Sequence, residues 1–422
     1  MRRTTTWTLA LSMCATSLAY ADDEELRTQV RQLTGEVQQL RSELKEMDAR
    51  TEALAAQQEA GLTAAPATNP VSIFGYGEVN YNRPVHDNSE TRMDLRRAVF
   101  GFGYRFDDQT RFNSEFEIEH AVASADDEGE VEVEQFYVDH SLVAAANLKA
   151  GLFLIPMGLL NESHEPVYYY GVERNFVETI IIPSTWREGG VGLYGSTSRG
   201  FAWDVGVTTG FDLGKWDPAS SEGQESPLGS IHQELQKARA HDLSTYLALS
   251  YRGIPGWVAG ASVFTGKVAQ GNPDVGAASD ARSTLWEAHT RWTAGNVDLS
   301  ALYARGTISD TRDLNANFVA VSADSILVPE AFWGWYTQAA YKFHINDRRE
   351  VSPFIRYERF NTGSSYAEIP AGLTPAALPT ESVWTYGVNF YLNPKVVFKA
   401  DYQTFKEDSD RDRFDLGLGL MF

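Results

Sequence analysis

The feature that most constrains the fold of this chain is an alternation of apolar and polar side chains that runs from residue 71 to the C-terminus. In the clearest segment, residues 111–122, phenylalanines on one face alternate with Glu115, Glu117 and Glu119 on the other. A period of two places successive side chains on opposite faces of a β-strand. Soluble β-sandwiches alternate as well, but an apolar face so consistently aromatic, opposite a face so charged, is unusual for them. The pattern therefore predicts a sheet with one apolar and one charged face.

The connections between these segments alternate between short and long. Short connections lie at 107–109, 144–147, 196–200, 253–256, 294–296, 345–350 and 393–394, and long ones are centred near 87, 126, 172, 227, 275, 318, 371 and 408. The segments number about sixteen, an even count with both ends on the short-turn side, as in bacterial outer-membrane barrels. The last residue, Phe422, closes the final alternating segment with an aromatic side chain. We therefore predict an all-β transmembrane barrel of antiparallel strands.

The N-terminal residues predict export. Arg2 and Arg3 precede an apolar stretch at 7–18, and Ala19-Tyr20-Ala21 matches the small-residue motif before a signal-peptide cleavage site. The single cysteine of the chain lies within this predicted signal peptide, 1–21. The exported chain is therefore expected to contain no disulfide. Together with the barrel pattern, the signal predicts a location in the bacterial outer membrane.

Residues 22–58 repeat apolar side chains in alternating steps of four and three. The d positions are Leu33, Leu40, Met47 and Leu54, and the a positions are Val30, Val37 and Leu44. Heptads sustained over this length favour an α-helical coiled coil over a lone amphipathic helix. We expect the coiled coil to lie in the periplasm. A small-residue linker at 59–70 would connect it to the barrel at 71–422.

Charge and local motifs exclude several function classes. The net charge of −21 argues against nucleic-acid binding. Ser163-His164-Glu165 contains the residue types of a catalytic triad, but adjacent residues cannot form one, so no enzymatic activity is predicted. The acidic run at 126–130 favours a solvated loop over a calcium site or a divalent bridge to lipopolysaccharide. No cofactor and no metal site is predicted.

A long insertion at 156–190 interrupts the alternation. It is rich in Tyr, Trp, Glu and Arg, and it has neither a helical nor a strand period. Structureless connections longer than about 12–15 residues are uncommon and usually functional. The segments on either side, LKAGLFLI and GGVGLYG, are predicted strands. The insertion is therefore predicted to be a functional loop.

Several segments resemble the phosphate-selective porin O and P family. They are LKAGLFLIPMG at 148–158, GVERNFVETIIIPSTW within the insertion, VSPFIRYERF at 351–360 and GVNFYLNPKVVFKADYQ at 387–403. The resemblance covers nearly everything after residue 70, and it implies a homotrimeric barrel whose third extracellular loop folds inward to narrow the pore. By its order in the chain, the insertion at 156–190 is that loop. The valine–leucine seam of the coiled coil, taken alone, favours two chains rather than three.

Two sets of candidate site residues follow. The pore-constriction candidates in the loop are Glu162, His164, Glu165, Glu173, Arg174, Glu178, Arg187 and Glu188. The lumen-lining candidates on the charged face of the strands are Arg97, Arg105, Arg111, Glu115, Glu117, Glu119, Lys149, Arg291, Lys342, Arg356, Glu358, Lys399 and Asp401. For the loop residues, ion pairs that fix the loop to the wall are the alternative to direct contact with solute. None of them is assigned a catalytic or metal-binding role.

The predicted function is passive diffusion of small charged or polar solutes through a water-filled channel. Anions such as phosphate are candidate solutes, but phosphate selection needs a concentrated cationic path. Because the loop contains more glutamates than arginines, we expect weak block, or none, of chloride current by phosphate. The alternative is a structural tether, in which a plugged barrel holds the coiled coil against the cell wall. The predicted partners are the lipid bilayer, lipopolysaccharide, further copies of this chain and peptidoglycan.

Overall fold

The structure, a computed structural model, describes residues 69–124, 129–143, 145–369 and 375–422. The predicted signal peptide, the coiled coil and all but the end of the linker lie outside these residues. Most of the acidic run at 126–130 lies outside them as well.

The described chain forms a closed antiparallel barrel of sixteen strands, which confirms the predicted fold class. The sheet contains seventeen segments, because the two-residue β13 continues β12 beyond Lys342. The segments are β1 Val71–Pro84, β2 Arg92–Arg105, β3 Thr110–Glu119, β4 Glu130–Val143, β5 Ala146–Leu154, β6 Arg187–Ser196, β7 Phe201–Thr208, β8 Ser244–Ile254, β9 Trp257–Lys267, β10 Arg282–Ala294, β11 Val297–Ile308, β12 Ala331–Tyr341, β13 Phe343–His344, β14 Glu350–Ser365, β15 Glu381–Asn393, β16 Val396–Phe405 and β17 Arg413–Met421.

The barrel closes where its first and last strands meet. Strand β1 pairs with β2 on one side and with β17 on the other, both antiparallel. The backbone N–H of Phe422 donates to the carbonyl of Gly75 at 2.9 Å, so the pairing extends to the last residue. A closed sheet has no edge strand left to pair with another chain.

The two faces of the wall follow the alternation of the sequence. On β2, Phe100, Phe102 and Tyr104 point outward with 44%, 43% and 42% of their surface exposed, whereas Arg97 and Val99 are buried inside the barrel. Residues two apart on a strand share a face. The apolar residues therefore form the surface that meets lipid, and the charged residues line the interior.

The longer connections contain the helices. These are the α-helices Glu222–Glu225 and Arg312–Val321, the π-helical turn Val177–Ile181, and the 3-10 turns Asn88–Glu90, Leu213–Lys215, Gly229–Ile231, Pro273–Ala278 and Ser409–Arg411. In the described part of the chain, each helix is too short or too polar to cross a bilayer. Side chains of these connections and of the barrel interior form one buried apolar cluster, which includes Trp186, Phe211, Phe264 and Leu228.

Candidate functional site

The connection between β5 and β6 passes through the interior of the barrel. Its backbone N–H groups donate to wall side chains on three strands: Gly171 to Asn389 at 3.2 Å, Val172 to Asp401 at 2.6 Å, and Phe176 to Glu358 at 2.7 Å. The phenol of Tyr169 donates to Glu78 on β1 at 2.6 Å, and that of Tyr170 to Asp298 on β11 at 3.3 Å. The segment, which we call the inner loop (155–186), is therefore held to strands from both ends of the chain.

The inner loop ends four residues earlier than the sequence suggests. Arg187 and Glu188 pair with Leu154 and Phe153 in the β5–β6 ladder, so they are the first residues of β6. Their side chains are buried and bonded locally: Arg187 pairs with Glu132 at 2.5 Å and with Glu234 at 3.1 Å. The assignment of Arg187 and Glu188 to the loop was wrong, because ladder pairing at this position outweighs the polar character of the side chains.

Glu178 fastens the loop to itself and to the wall. Its carboxylate accepts hydrogen bonds from the backbone N–H groups of Leu159 at 2.5 Å and Leu160 at 2.8 Å, and from the side chains of Asn175 and Tyr336, both at 2.8 Å. Tyr336 lies on β12, so one carboxylate joins both halves of the inner loop to the barrel. The carboxylate also lies so close to Gly158 that a side chain at that position would collide with it.

The other predicted loop residues differ in their surroundings. Glu173 accepts hydrogen bonds from Asn80 at 3.1 Å and Asn82 at 3.3 Å, and Arg174 donates to the hydroxyl of Thr185 at 3.0 Å. Glu162 is exposed to the barrel interior. These contacts help to fix the loop, and two of its four carboxylates, those of Glu173 and Glu178, accept hydrogen bonds from protein groups.

His164 is buried and both of its ring nitrogens are engaged. Nδ1 lies 2.9 Å from the carbonyl of Asn161, and Nε2 lies 2.6 Å from the phenolic oxygen of Tyr76. The third neighbour is Glu134, whose carboxylate is 3.7 Å from Nε2. The imidazole therefore faces the β1 and β4 walls.

A small cavity lies between the inner loop and one wall of the barrel. It is lined by Leu159, Leu160, Tyr168, Tyr169 and Asn175 from the loop, and by Arg291, Ser300, Tyr336, Gln338 and Arg356 from strands β10, β11, β12 and β14. The charged residues of this lining are Arg291 and Arg356, both cationic. Arg291 donates two hydrogen bonds to Asp298, at 3.0 and 2.7 Å, and its side chain remains 36% exposed.

Arg356 is held more tightly than Arg291. It is 2% exposed, pairs with Glu358 at 2.9 Å, and donates to the backbone carbonyl of Tyr170 at 3.1 Å. A guanidinium presents five N–H donors in a planar fork, so one such group can bond a carboxylate and a second acceptor at once. Arg356 uses this capacity to fix the loop, whereas Arg291 donates two hydrogen bonds to Asp298 and is part of the cavity lining.

The predicted lumen residues lie on the inner face of the wall. Lys149 pairs with Asp204 at 2.6 Å, Lys342 with Asp298 at 3.3 Å, and the Lys399 ammonium sits 3.4 Å from the ring centre of Tyr169. Arg105 and Arg111 are directly opposed on β2 and β3, near the short-turn end. Most of these charges are therefore half of an ion pair.

Acidic and basic side chains occur together on the two walls that face each other across the lumen, with Arg97 and Glu117 on one and Arg291 and Asp298 on the other. Glu115, Glu117 and Glu119 lie on β3, and β3 and β4 lie half the ring away from β11 and β12. The cavity with Arg291 and Arg356 borders β11 and β12. Both walls therefore carry charges of both signs.

Glu134 is a lumen residue that the sequence analysis missed. A β-bulge interrupts the β3–β4 ladder: Glu115 pairs with Gln135, the next residue Phe116 pairs with Val133, and Glu134 is left over. The extra residue leaves Glu134 fully buried inside. The sequence does contain a signal for the bulge. In EVEVEQFYV (130–138), the outward-facing apolar residues are two positions apart except between Val133 and Phe136, which are three apart.

Glu165 gives the loop a pH dependence. Burial raises the pKa of its carboxyl from the usual 4.5 to about 7, and the nearby Glu115 acts in the same direction. The folded state thus binds a proton that the unfolded state has lost, so stability falls as pH rises from about 4.5 to about 7.

We expect the apparent melting temperature in detergent to fall across this window and Glu165→Gln to flatten the slope. The variant Glu222→Gln, on an exposed helix, is the control and should keep the wild-type slope; an unchanged slope in Glu165→Gln would contradict the assignment.

The comparisons with known proteins agree with this architecture. Residues 74–413 match the family model for phosphate-selective porin O and P. An uncharacterized protein of Aquifex aeolicus (strain VF5) is 30% identical over 362 residues, which cover 83% of this chain and 80% of that protein.

Solved outer-membrane channels share the fold. OmpF of Salmonella typhi, solved with daunomycin, has a TM-score of 0.57 at 14% identity, covering 83% of this chain and 97% of that one. The outer-membrane channel DcaP of Acinetobacter baumannii has a TM-score of 0.51 at 14% identity, covering 86% and 99%. At these identities the likeness supports the barrel fold, and the family match covers most of the chain. The protein therefore belongs to the phosphate-selective porin O and P family, and it is a porin that forms a channel for small solutes in the outer membrane.

Proposed function

We propose that this porin favours small anions, of which inorganic phosphate is one, and passes them along the wall that carries Arg291 and Arg356. The observation that supports this proposal is the lining of the cavity beside the inner loop, in which both charged residues are arginines. None of the four glutamates of the inner loop is among the residues that line this cavity. Glu173 and Glu178 accept hydrogen bonds from neutral loop and wall groups, which hold both carboxylates in place.

Weak binding of phosphate is part of the same proposal. Arg291 is already bonded to Asp298, and Arg356 to Glu358. Tight phosphate binding uses unpaired arginine forks that bond two phosphate oxygens, and here each fork shares its charge with a carboxylate. The channel would therefore attract anions without retaining them, which suits rapid diffusion. Millimolar phosphate should leave the chloride current largely unblocked.

The test is the zero-current potential of the full-length protein in planar bilayers under a potassium chloride gradient. The wild type should favour chloride, and Arg291→Gln should shift the potential toward cation preference, because Asp298 then loses its main partner. Arg305→Gln is the matched control, since Arg305 lies on the outer face of β11. An equal shift in both variants, or a wild-type channel that favours potassium, would contradict the proposal. A silent bilayer would favour the tether alternative.

Assembly and surroundings complete the proposal. We infer a homotrimer from the family resemblance, with the apolar outer face in contact with lipid and lipopolysaccharide, and with the coiled coil reaching toward peptidoglycan. Chemical cross-linking in native membranes should give a trimer band, and purified cell-wall sacculi should retain the full-length protein better than a chain without residues 22–58.

The family and the fold are those of a channel, and both ring nitrogens of His164 are engaged by Asn161 and Tyr76, which supports a non-enzymatic role.

A further inference from the structure

Three side chains from three elements converge at the interface between the inner loop and the barrel wall. They are Glu115 on β3, Glu134 in the bulge of β4 and His164 on the inner loop. One ligand atom of each lies within 4.8 Å of the others. Glu134 and Nε2 of His164 are 3.7 Å apart.

The carboxylate of Glu134 lacks a full set of partners. It is 0% exposed, and one oxygen, Oε1, has no hydrogen-bond partner among the described residues. The other oxygen accepts from the phenol of Tyr76 at 3.0 Å. A buried carboxylate oxygen without a partner costs free energy. Here the free oxygen is the one that points at His164.

The imidazole of His164 is prepared to coordinate through Nε2. Its Nδ1 lies 2.9 Å from the carbonyl of Asn161, which can only accept, so the ring proton belongs on Nδ1. This leaves a lone pair on Nε2, which here faces the phenolic oxygen of Tyr76 at 2.6 Å. A neutral imidazole whose second nitrogen is fixed by a backbone carbonyl is the usual state of a metal-binding histidine.

The local charges leave room for a cation. Arg97 pairs with Glu78 at 2.7 Å and lies 3.9 Å from Glu117. Glu115 and Glu134 add two carboxylates to the same buried cluster. Buried carboxylates that crowd together must share protons or a cation to stay in the interior. A divalent ion between Glu115 and Glu134 would balance both charges.

We propose that Glu115, Glu134 and His164 form a binding site for a divalent transition-metal ion, with zinc as the best match. Zinc takes imidazole nitrogen and carboxylate oxygen at about 2.0–2.2 Å, which places tetrahedral ligands about 3.3 Å apart, close to the 3.7 Å seen between Glu134 and His164. Calcium and magnesium favour sets made of oxygen alone. The phenol of Tyr76 lies 2.6 Å from Nε2, so it would move away from that nitrogen when the ion binds, and its proton would then be available to Glu134.

The consequence of this site is a metal-dependent clamp on the inner loop. His164 belongs to the loop, whereas Glu115 and Glu134 belong to the wall. A bound ion would therefore connect the two by coordination bonds at the level where the loop narrows the lumen. The site is independent of the anion preference, because Arg291 and Arg356 lie along the opposite wall.

The test measures zinc bound to the full-length protein in detergent, after treatment with a chelator and equilibrium dialysis against zinc chloride. We expect about one zinc per chain from this site, with affinity at least about tenfold lower in His164→Gln and in Glu134→Gln. The matched control is His289→Gln, because His289 is also an inward-facing histidine beside a glutamate, with Nδ1 2.9 Å from Glu287. Millimolar magnesium should not displace the zinc.

Cobalt substitution provides a second readout. Cobalt bound by one imidazole and two carboxylates should give a visible absorption band in the wild type and in His289→Gln, and the band should be lost in His164→Gln. The slower migration of unheated, folded barrel on a denaturing gel verifies that each variant has folded, and Glu115→Gln replaces any variant that has not. Equal zinc binding by wild type, His164→Gln and Glu134→Gln would overturn the proposal. Because binding is measured without transport, this result would leave the anion proposal untouched.

Discussion

Replacing Glu178 with alanine should raise the single-channel conductance severalfold and make the current fluctuate. The carboxylate accepts hydrogen bonds from Leu159, Leu160, Asn175 and Tyr336. Its removal leaves buried donors unpaired, at a cost of about 1–3 kcal/mol for each donor. Every 1.4 kcal/mol changes an equilibrium by about tenfold. The balance between the docked loop and a displaced one should therefore shift strongly toward the displaced one.

The measurement is single-channel recording of the reconstituted full-length protein. Glu287→Ala is the matched control: Glu287 is 1% exposed on the inner wall, and its partners Ser262 and His289 belong to strands rather than to the inner loop. It removes a buried inward carboxylate while leaving the loop in place, so the conductance should stay near the wild-type value. If Glu178→Ala conducts no more than Glu287→Ala, the inner loop is not held by this carboxylate.

Replacing Trp186 with alanine should produce the largest loss of stability. Trp186 is 0% exposed, stacked on Phe211 with ring centres 5.0 Å apart, and edge-on to Phe264 at 4.5 Å. Its indole N–H also donates to Glu188 at 3.1 Å. Truncating a buried aromatic side chain to alanine costs about 3–5 kcal/mol, because a cavity remains where the ring was.

Denaturant unfolding of the detergent-solubilised protein measures this loss. Trp286→Ala is the control, because Trp286 lies on the outer face and is 41% exposed, so detergent can fill the space that it leaves. The free energy of unfolding should drop much further in Trp186→Ala than in Trp286→Ala. Similar losses in the two variants would mean that the packing around Trp186 contributes little to stability.

The sequence alone was sufficient for the barrel and for the faces of its strands. A period of two decides which side chains face inward, and it placed Arg97, Glu117 and Arg356 on the inner wall, where the structure has them. The alternation of short and long connections supplied the even strand count. These features are local, so the orientation of each strand can be inferred from its own residues alone.

Local sequence patterns could not identify the residues that pair with the inward-facing charges. Glu178 meets Tyr336 across 158 positions of sequence, and Phe176 meets Glu358 across 182. A count of glutamates in the loop therefore could not show which wall groups their carboxylates contact. The bulge at Glu134 was missed for a related reason, since one irregular residue breaks the period on which the inference rests.

The bulge in β4 shows how a strand of the barrel wall can gain an additional inward-facing polar side chain. Val133 before it and Phe136 after it both face outward, with 36% and 53% of their surface exposed. Without Gln135 the strand would alternate regularly and the barrel would still be complete. A single added codon thus provides one more polar group for the lumen, with the lipid face and the strand number unchanged.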